Sequence, residues 1–296
     1  MDENLRWSKK RSLWLLTMYA GAAAGAFPAY SPTAALTSSA LAVVFLCGFT
    51  VGFHRGFIHG SFRTYRWLER LLLYLATLNG FGGLLQMFRK HELRDYWQNQ
   101  PEAPAYYGYR HGLWRDYLWY LHLDHLGPEP AGLRIEGGWR TDRFLLGLDR
   151  HWMAHQVLFG TLLWLAGGWP LVVWGVCVRI STTTTGIWLV NYLVHKHGYR
   201  NFELAGCTEE GRNSLWVGAL SLGEGWHNNH HAFPQSARYG VQWWEFDAGY
   251  LCIRLLETLG LVWEVKTFED QCPRPNLRPV CPWCGAADRP LTLGGS

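Results

Sequence analysis

Four apolar runs constrain this chain more than any other feature. They cover about 12–30, 33–53, 151–166 and 170–194. A hydrocarbon core about 30 Å thick needs ~20 apolar residues in a helix. The first two runs meet that length; the third does so only if it starts near His151. Pro28, Ser31 and Pro32 separate the first pair, and Gly167-Gly168-Trp169-Pro170 marks a tight reversal between the second pair. The Ala- and Gly-rich stretch Gly21–Gly25 suits close helix approach in lipid. The expected fold is therefore an all-α integral membrane protein with four transmembrane helices. Arg6, Lys9, Lys10 and Arg11 precede the first run without a cleavage site behind it, which predicts a retained span with a cytoplasmic start. Arg179 inside the fourth run is costly in lipid and is expected to face protein or an interface.

Between the runs the chain is polar and aromatic. Residues 54–150 and 195–265 read as a cytosolic helical cap, with a half-buried helix over 65–88, a short one near Leu113–His122 and an amphipathic one over Gln242–Val265. Residues 1–265 form one domain; 266–296 form a flexible Cys- and Pro-containing tail. A formal net charge of +4 is too small to argue for nucleic acid. Seven scattered cysteines give no disulfide framework, as a reducing compartment requires. Cys272 and Cys281-Pro282-Trp283-Cys284 lack a close fourth sulfur, so a metal-bound tail is the less favoured reading.

Every apolar hairpin ends in histidine. The second run delivers His54-Arg55-Gly56-Phe57-Ile58-His59, the fourth delivers Asn191 and His195, and His91 and Asp95 follow the half-buried helix. The stretch Gly223-Glu224-Gly225-Trp226-His227-Asn228-Asn229-His230-His231 puts three imidazoles at i, i+3 and i+4, on one helical face. With two spans before His54 and two more before His195, all candidates land on one side of the membrane. So many imidazoles exceed one tetrahedral site and suit two metals with open positions. On an ideal α-helix His54 and His59 point about 140° apart, so they are expected to serve different metals. His122 and His125 share i, i+3 spacing but are expected to be interfacial or solvated; His197 lies beside the Asn191/His195 face as a supporting candidate.

From about Val51 to Val265 the motifs HRGFIH, NYLVHKHGYR and GEGWHNNHHAFPQSARYGVQWWEFD resemble those of the membrane fatty-acyl desaturases, nearest the Δ9 acyl-CoA/acyl-lipid type. The resemblance implies four spans, a cytosolic cap and a non-haem diiron centre, that is, two iron ions. It implies O2-dependent conversion of a saturated acyl chain to an alkene. Its partners would be an acyl-CoA or acyl-lipid substrate, the bilayer and a separate ferredoxin- or cytochrome b5-type electron donor, since no fused cytochrome b5 pattern is seen. Carried over by position, the metal ligands would be His54, His59, His91, Asn191 through water, His195, His227, His230 and His231.

The chain departs from that pattern at its middle box. Where the family has His-x-x-His-His, this chain reads His91-Glu92-Leu93-Arg94-Asp95, and the family's Asp-Pro-His is missing. Arginine offers no lone pair; a carboxylate is an ordinary iron ligand, so Asp95 is the expected substitute. A full site with altered electronics, a weakened metal, and a scaffold without catalysis all follow from such a change. The rival functions are an acyl-chain hydroxylase or oxygenase on the same scaffold and a non-catalytic lipid-binding membrane protein.

Overall fold

The computed structural model describes residues 4–127, 130 and 141–280. It is mostly helical. Helix α1 (Lys9–Gly25) begins where Arg11 is buried: Nε and Nη2 donate to the carbonyls of Leu121 and Leu123, at 2.6 and 2.9 Å, and Nη1 pairs with Asp124. That anchor joins α1 to the cap. The apolar run expected over 12–30 is helical only to Gly25, and a turn over 26–29 then leads to α2 (Pro32–Cys47). Ser31 caps α2 by accepting from the Ala34 amide, and Pro32 sits at the first helical position, where its missing N–H costs nothing.

Helix α2 does not end at Cys47. It continues as a π-helix over Gly48–Ile58, with hydrogen bonds running five residues back instead of four. The partner that permits this is α3 (Arg66–Thr77), which packs along the π-helix. Gly48 and Gly52 allow the contact: a Cβ on Gly52 would overlap Leu72, and one on Gly48 would meet the Leu75 side chain and the α3 backbone. A break at Gly80–Gly83 separates α3 from α4 (Leu84–Gln98), so the half-buried element expected over 65–88 is two helices. Helix α5 covers Leu113–His122, as the sequence suggests.

Helix α6 (Arg143–Val172) contains the predicted reversal. Gly167 and Gly168 leave helical geometry, and Gly168 has φ 70°, a left-handed conformation glycine adopts freely. The chain then runs back through a π segment (Val173–Val178) and α7 (Arg179–Val194). The two limbs are antiparallel neighbours, with Gly175 against Leu163 and Arg179 against Gln156. By length and composition, Pro32–Ile58 and Arg143–Val194 are able to cross a membrane. Leu36, Val43 and Val44 on α2, and Val157, Leu162 and Leu165 on α6, are exposed. An apolar outer surface on long helices is what a lipid solvent calls for. Arg179 is fully buried among protein groups, as expected. Nε donates to the Gly175 carbonyl and Nη1 to the Leu78 carbonyl, each at 2.7 Å, and the guanidinium lies over Phe45.

The remaining elements build the cap. They are α8 (Leu215–Leu220), α9 (His227–Ala232), α10 (Ala248–Thr258) and three short antiparallel pairs: β1 (Leu5–Trp7) with β3 (Leu123–His125), β2 (Arg63–Thr64) with β5 (Val262–Trp263), and β4 (Phe202–Leu204) with β6 (Leu277–Pro279). Two expectations change here. The amphipathic helix expected over 242–265 is shorter, because Asp247 caps α10 through the Tyr250 amide and Trp243 and Trp244 fall in the preceding turn. Residues 266–280 are not a loose tail: β6 pairs with β4, and Arg274 donates to Asn99 Oδ1 and to the His231 carbonyl. Cys272 is exposed, and the Cys281/Cys284 pair lies outside the described residues.

Gly52→Ala is expected to destabilise the protein by about 1–3 kcal/mol, the usual cost of overpacking. Gly186→Ala, in α7 with open space around its Cβ, should be neutral or gain ~0.4–1 kcal/mol. Thermal unfolding in detergent separates the two.

Candidate metal centre

The π-helix decides where the first two histidines go. The His59 amide donates to the His54 carbonyl at 3.2 Å, a five-residue turn. Such a turn returns residue i+5 over residue i, and the two rings lie 4.9 Å apart. The expectation that they serve different metals fails for this reason: the α-helical angle does not apply. His54 and His59 join His91 from α4 and His230 from α9 in one group whose donor atoms lie within 4.8 Å of one another. A second group holds His195, from the end of α7, with His227 and His231 from α9. The single face carrying His227, His230 and His231 is therefore divided: the i, i+4 pair serves one group and His230 the other. The groups adjoin, with His230 and His231 rings 5.4 Å apart.

The spacing fits metal. Nε2 of His54 and of His91 lie 3.0 Å apart, and Nε2 of His227 and of His231 lie 2.9 Å apart. Two nitrogens at right angles on an ion, each about 2.1 Å from it, stand ~3.0 Å apart. The donor chemistry fits too. Burial first, and neighbouring imidazoles second, hold His91, His195, His227, His230 and His231 well below the ordinary histidine range. They are neutral at physiological pH and keep a lone pair for a cation. Nδ1 of His230 is buried without a hydrogen-bond partner among the described residues.

Outer partners set which nitrogen faces inward. Nδ1 of His54 lies 2.8 Å from Glu224 Oε2, and Nδ1 of His195 donates to the Asn191 carbonyl at 2.7 Å. Nδ1 of His231 lies 3.6 Å from Glu209, and Nδ1 of His91 3.4 Å from Asp95. For His54 and His195 the close acceptor behind Nδ1 fixes the ring and turns Nε2 inward. Asp95 was expected among the ligands; it stands behind His91 and is not among the grouped donors. In this arrangement its carboxylate lies at Nδ1 of the His91 ring, 3.4 Å away, while Nε2 of His91 reaches on to His54. Asn191 meets the site through its backbone carbonyl on His195. Burial pushes Asp95 up to about 8 and Glu209 up to about 7; a dication on the adjoining rings would favour their charged forms.

Glu224 and Glu209 were not singled out from the sequence. Glu224 lay in view, three residues before His227. Glu209 had no signal, since only the fold brings it to His231. His122 and His125 are buried rather than solvated: His122 bonds Ser12 Oγ at 2.9 Å and stacks on Trp7, and His125 meets the Tyr107 hydroxyl. His197 is exposed and falls in neither group.

The asparagines between the histidines hold α9 in place. Asn229 donates to the Tyr239 carbonyl and to Glu245, both at 2.8 Å, and accepts from Asn201 and Asn213. Asn228 accepts from the Asn201 and Phe202 amides. Glu245 also takes the Tyr199 hydroxyl at 2.6 Å. Arg55, between the first two histidines, is fully buried; it pairs with Asp247 at 3.0 Å, donates to the Ala237 carbonyl at 2.7 Å and covers Tyr239.

The family model described as fatty acid desaturase matches residues 7–254. The chain is 36% identical over 219 residues to an sn-1 stearoyl-lipid 9-desaturase of Anabaena variabilis, covering 74% of this chain and 78% of that protein. It is 34% identical to an sn-1 stearoyl-lipid 9-desaturase of Synechocystis, with 74% and 67% covered. It is 31% identical to an acyl-CoA 5-desaturase of Anemone leveillei, with 78% and 71% covered.

Glu224→Gln is expected to lower metal affinity about 10–100-fold, the usual effect of losing an outer partner. Asp95→Asn should cost no more than that if Asp95 is an outer partner. Chelator competition on the purified protein gives both numbers, and a complete loss of one metal in Asp95→Asn would restore Asp95 as a ligand.

Proposed function

This chain belongs to the fatty acid desaturase family, and from that membership we propose that its two histidine groups hold a pair of irons with which it introduces a double bond into a saturated acyl chain of a lipid or CoA ester. The protein is a fatty-acyl desaturase of the membrane type. The observation that carries the reading is the pair of adjoining, desolvated histidine groups, to which the ends of two long apolar helices bring His54, His59 and His195. The bound irons would supply, with O2, the oxidising power to take two hydrogens from unactivated C–H bonds. Electrons come from a separate donor of ferredoxin or cytochrome b5 type.

The chain's own residues do the rest. Seven imidazoles would hold the metals; Glu224 and the Asn191 carbonyl orient His54 and His195, and Glu209 stands 3.6 Å from Nδ1 of His231. Tyr109 stacks flat on His195 at 3.8 Å, and Tyr239 lies against His230 at 4.5 Å. These aromatic walls keep bulk water from the centre, which favours oxidation of the acyl chain over unproductive use of O2. No protein acid or base is needed to cleave C–H. Four crossings, α1, α2 with its π-helix, and the two limbs of the α6–α7 hairpin, put the cap and the metals on the cytoplasmic face. The basic residues at the start of α1 support that orientation, and nucleic acid is not a partner.

Fatty-acid profiling of cells expressing the protein is expected to reveal new monounsaturated chains, absent with His230→Ala or His231→Ala. A hydroxylated product instead would assign the chain to the oxygenase branch of the same chemistry, and an unchanged profile with His230→Ala would remove the histidine groups from the reaction.

A further inference from the structure

The two groups are unequal. Among the described residues one has four imidazoles, the other His195, His227 and His231. A further polar side chain reaches the smaller group from α4. Gln98 lies seven residues, about two turns, beyond His91 and so on the same helical face. It is 1% exposed. Its Nε2 stands 3.4 Å from Nε2 of His195 and 3.2 Å from the Tyr107 carbonyl, to which it donates. Its Oε1 is buried and has no hydrogen-bond partner among the described residues.

Buried amide oxygens are almost always satisfied by protein, water or an ion. Here the surroundings point to an ion. Nδ1 of His195 is occupied by the Asn191 carbonyl, so the nitrogen facing Gln98 is the one with the lone pair. Once a cation takes that lone pair, His195 no longer accepts from an amide N–H. The oxygen is then the end of Gln98 that a cation attracts, and the amide turns to present it, since Nε2 is the atom that faces His195 in this structure. Glu209 does not compete for this place, because it lies behind His231 at Nδ1.

We propose that Gln98 is the fourth side chain of the three-histidine group, giving its amide oxygen to the metal held by His195, His227 and His231. The proposal rests on the reading of the two groups as metal sites. It deepens that reading by placing the missing donor one helical turn beyond Arg94 on α4.

The test uses the full chain purified in detergent, with iron content and the Mössbauer spectrum as readouts. Gln98→Leu is expected to fall from about two irons per chain to about one, because affinity at one position drops at least ~10–100-fold. Gln98→Glu, which keeps size and an oxygen donor, should retain both irons with one Mössbauer component shifted. Full iron content in Gln98→Leu would overturn the proposal, and so would a Gln98→Glu spectrum identical to that of the parent. If Gln98→Leu does not fold, Gln98→Glu decides alone. A parent protein that binds no iron would instead sink the underlying metal reading, and the proposal with it.

Discussion

The hydrogen bond from the His59 amide to the His54 carbonyl governs the arrangement of the centre. Were that turn α-helical, His59 would face away from His54 and one group would lose a ligand. π-Helical geometry is poorer than α-helical geometry, and long runs of it are rare. It persists over Gly48–Ile58 because packing supports it: glycines let α3 close on one side, and buried Arg55 is tied to Asp247 and Ala237 on the other. This less favourable helical geometry is thus held by tertiary contacts.

A second layer of buried polar groups does for α9 what that packing does for the π-helix. A six-residue helix has little stability of its own. Here Asn228, Asn229, Asn201, Asn213 and Glu245 bond one another and the neighbouring backbone, and that network holds the short helix in place. Removing one member would strand the others without partners in a low-dielectric setting. The His-Asn-Asn-His-His pattern therefore alternates two tasks: imidazoles toward the metal space, amides toward the scaffold.

Much of this was legible in the residues. Apolar run lengths, the Gly167–Pro170 reversal and the α5 boundaries needed only periodicity and turn chemistry. Burial of Arg179 followed from the cost of charge in lipid. Seven of the candidate ligands, His54, His59, His91, His195, His227, His230 and His231, are the seven that converge. How they divide was hidden, because it depends on a π-turn with no sequence signature and on a short helix whose two edges serve different groups. Asp95 was read from its place in the middle box; that place in the sequence did not show that its carboxylate lies at Nδ1 of His91, outside the grouped donors. Glu209 and Gln98 were invisible for a plainer reason: each meets its histidine only across a long loop of chain.

The contact of Arg274 with the His231 carbonyl bears on biogenesis. Residue 274 leaves the ribosome after every histidine has been made, and β6 cannot dock until then. Until then α9 would lack the Arg274 contact to the His231 carbonyl. Any metal loading there would be a late event, and a message cut short before codon 274 would yield a chain carrying all seven grouped histidines around an unclosed site.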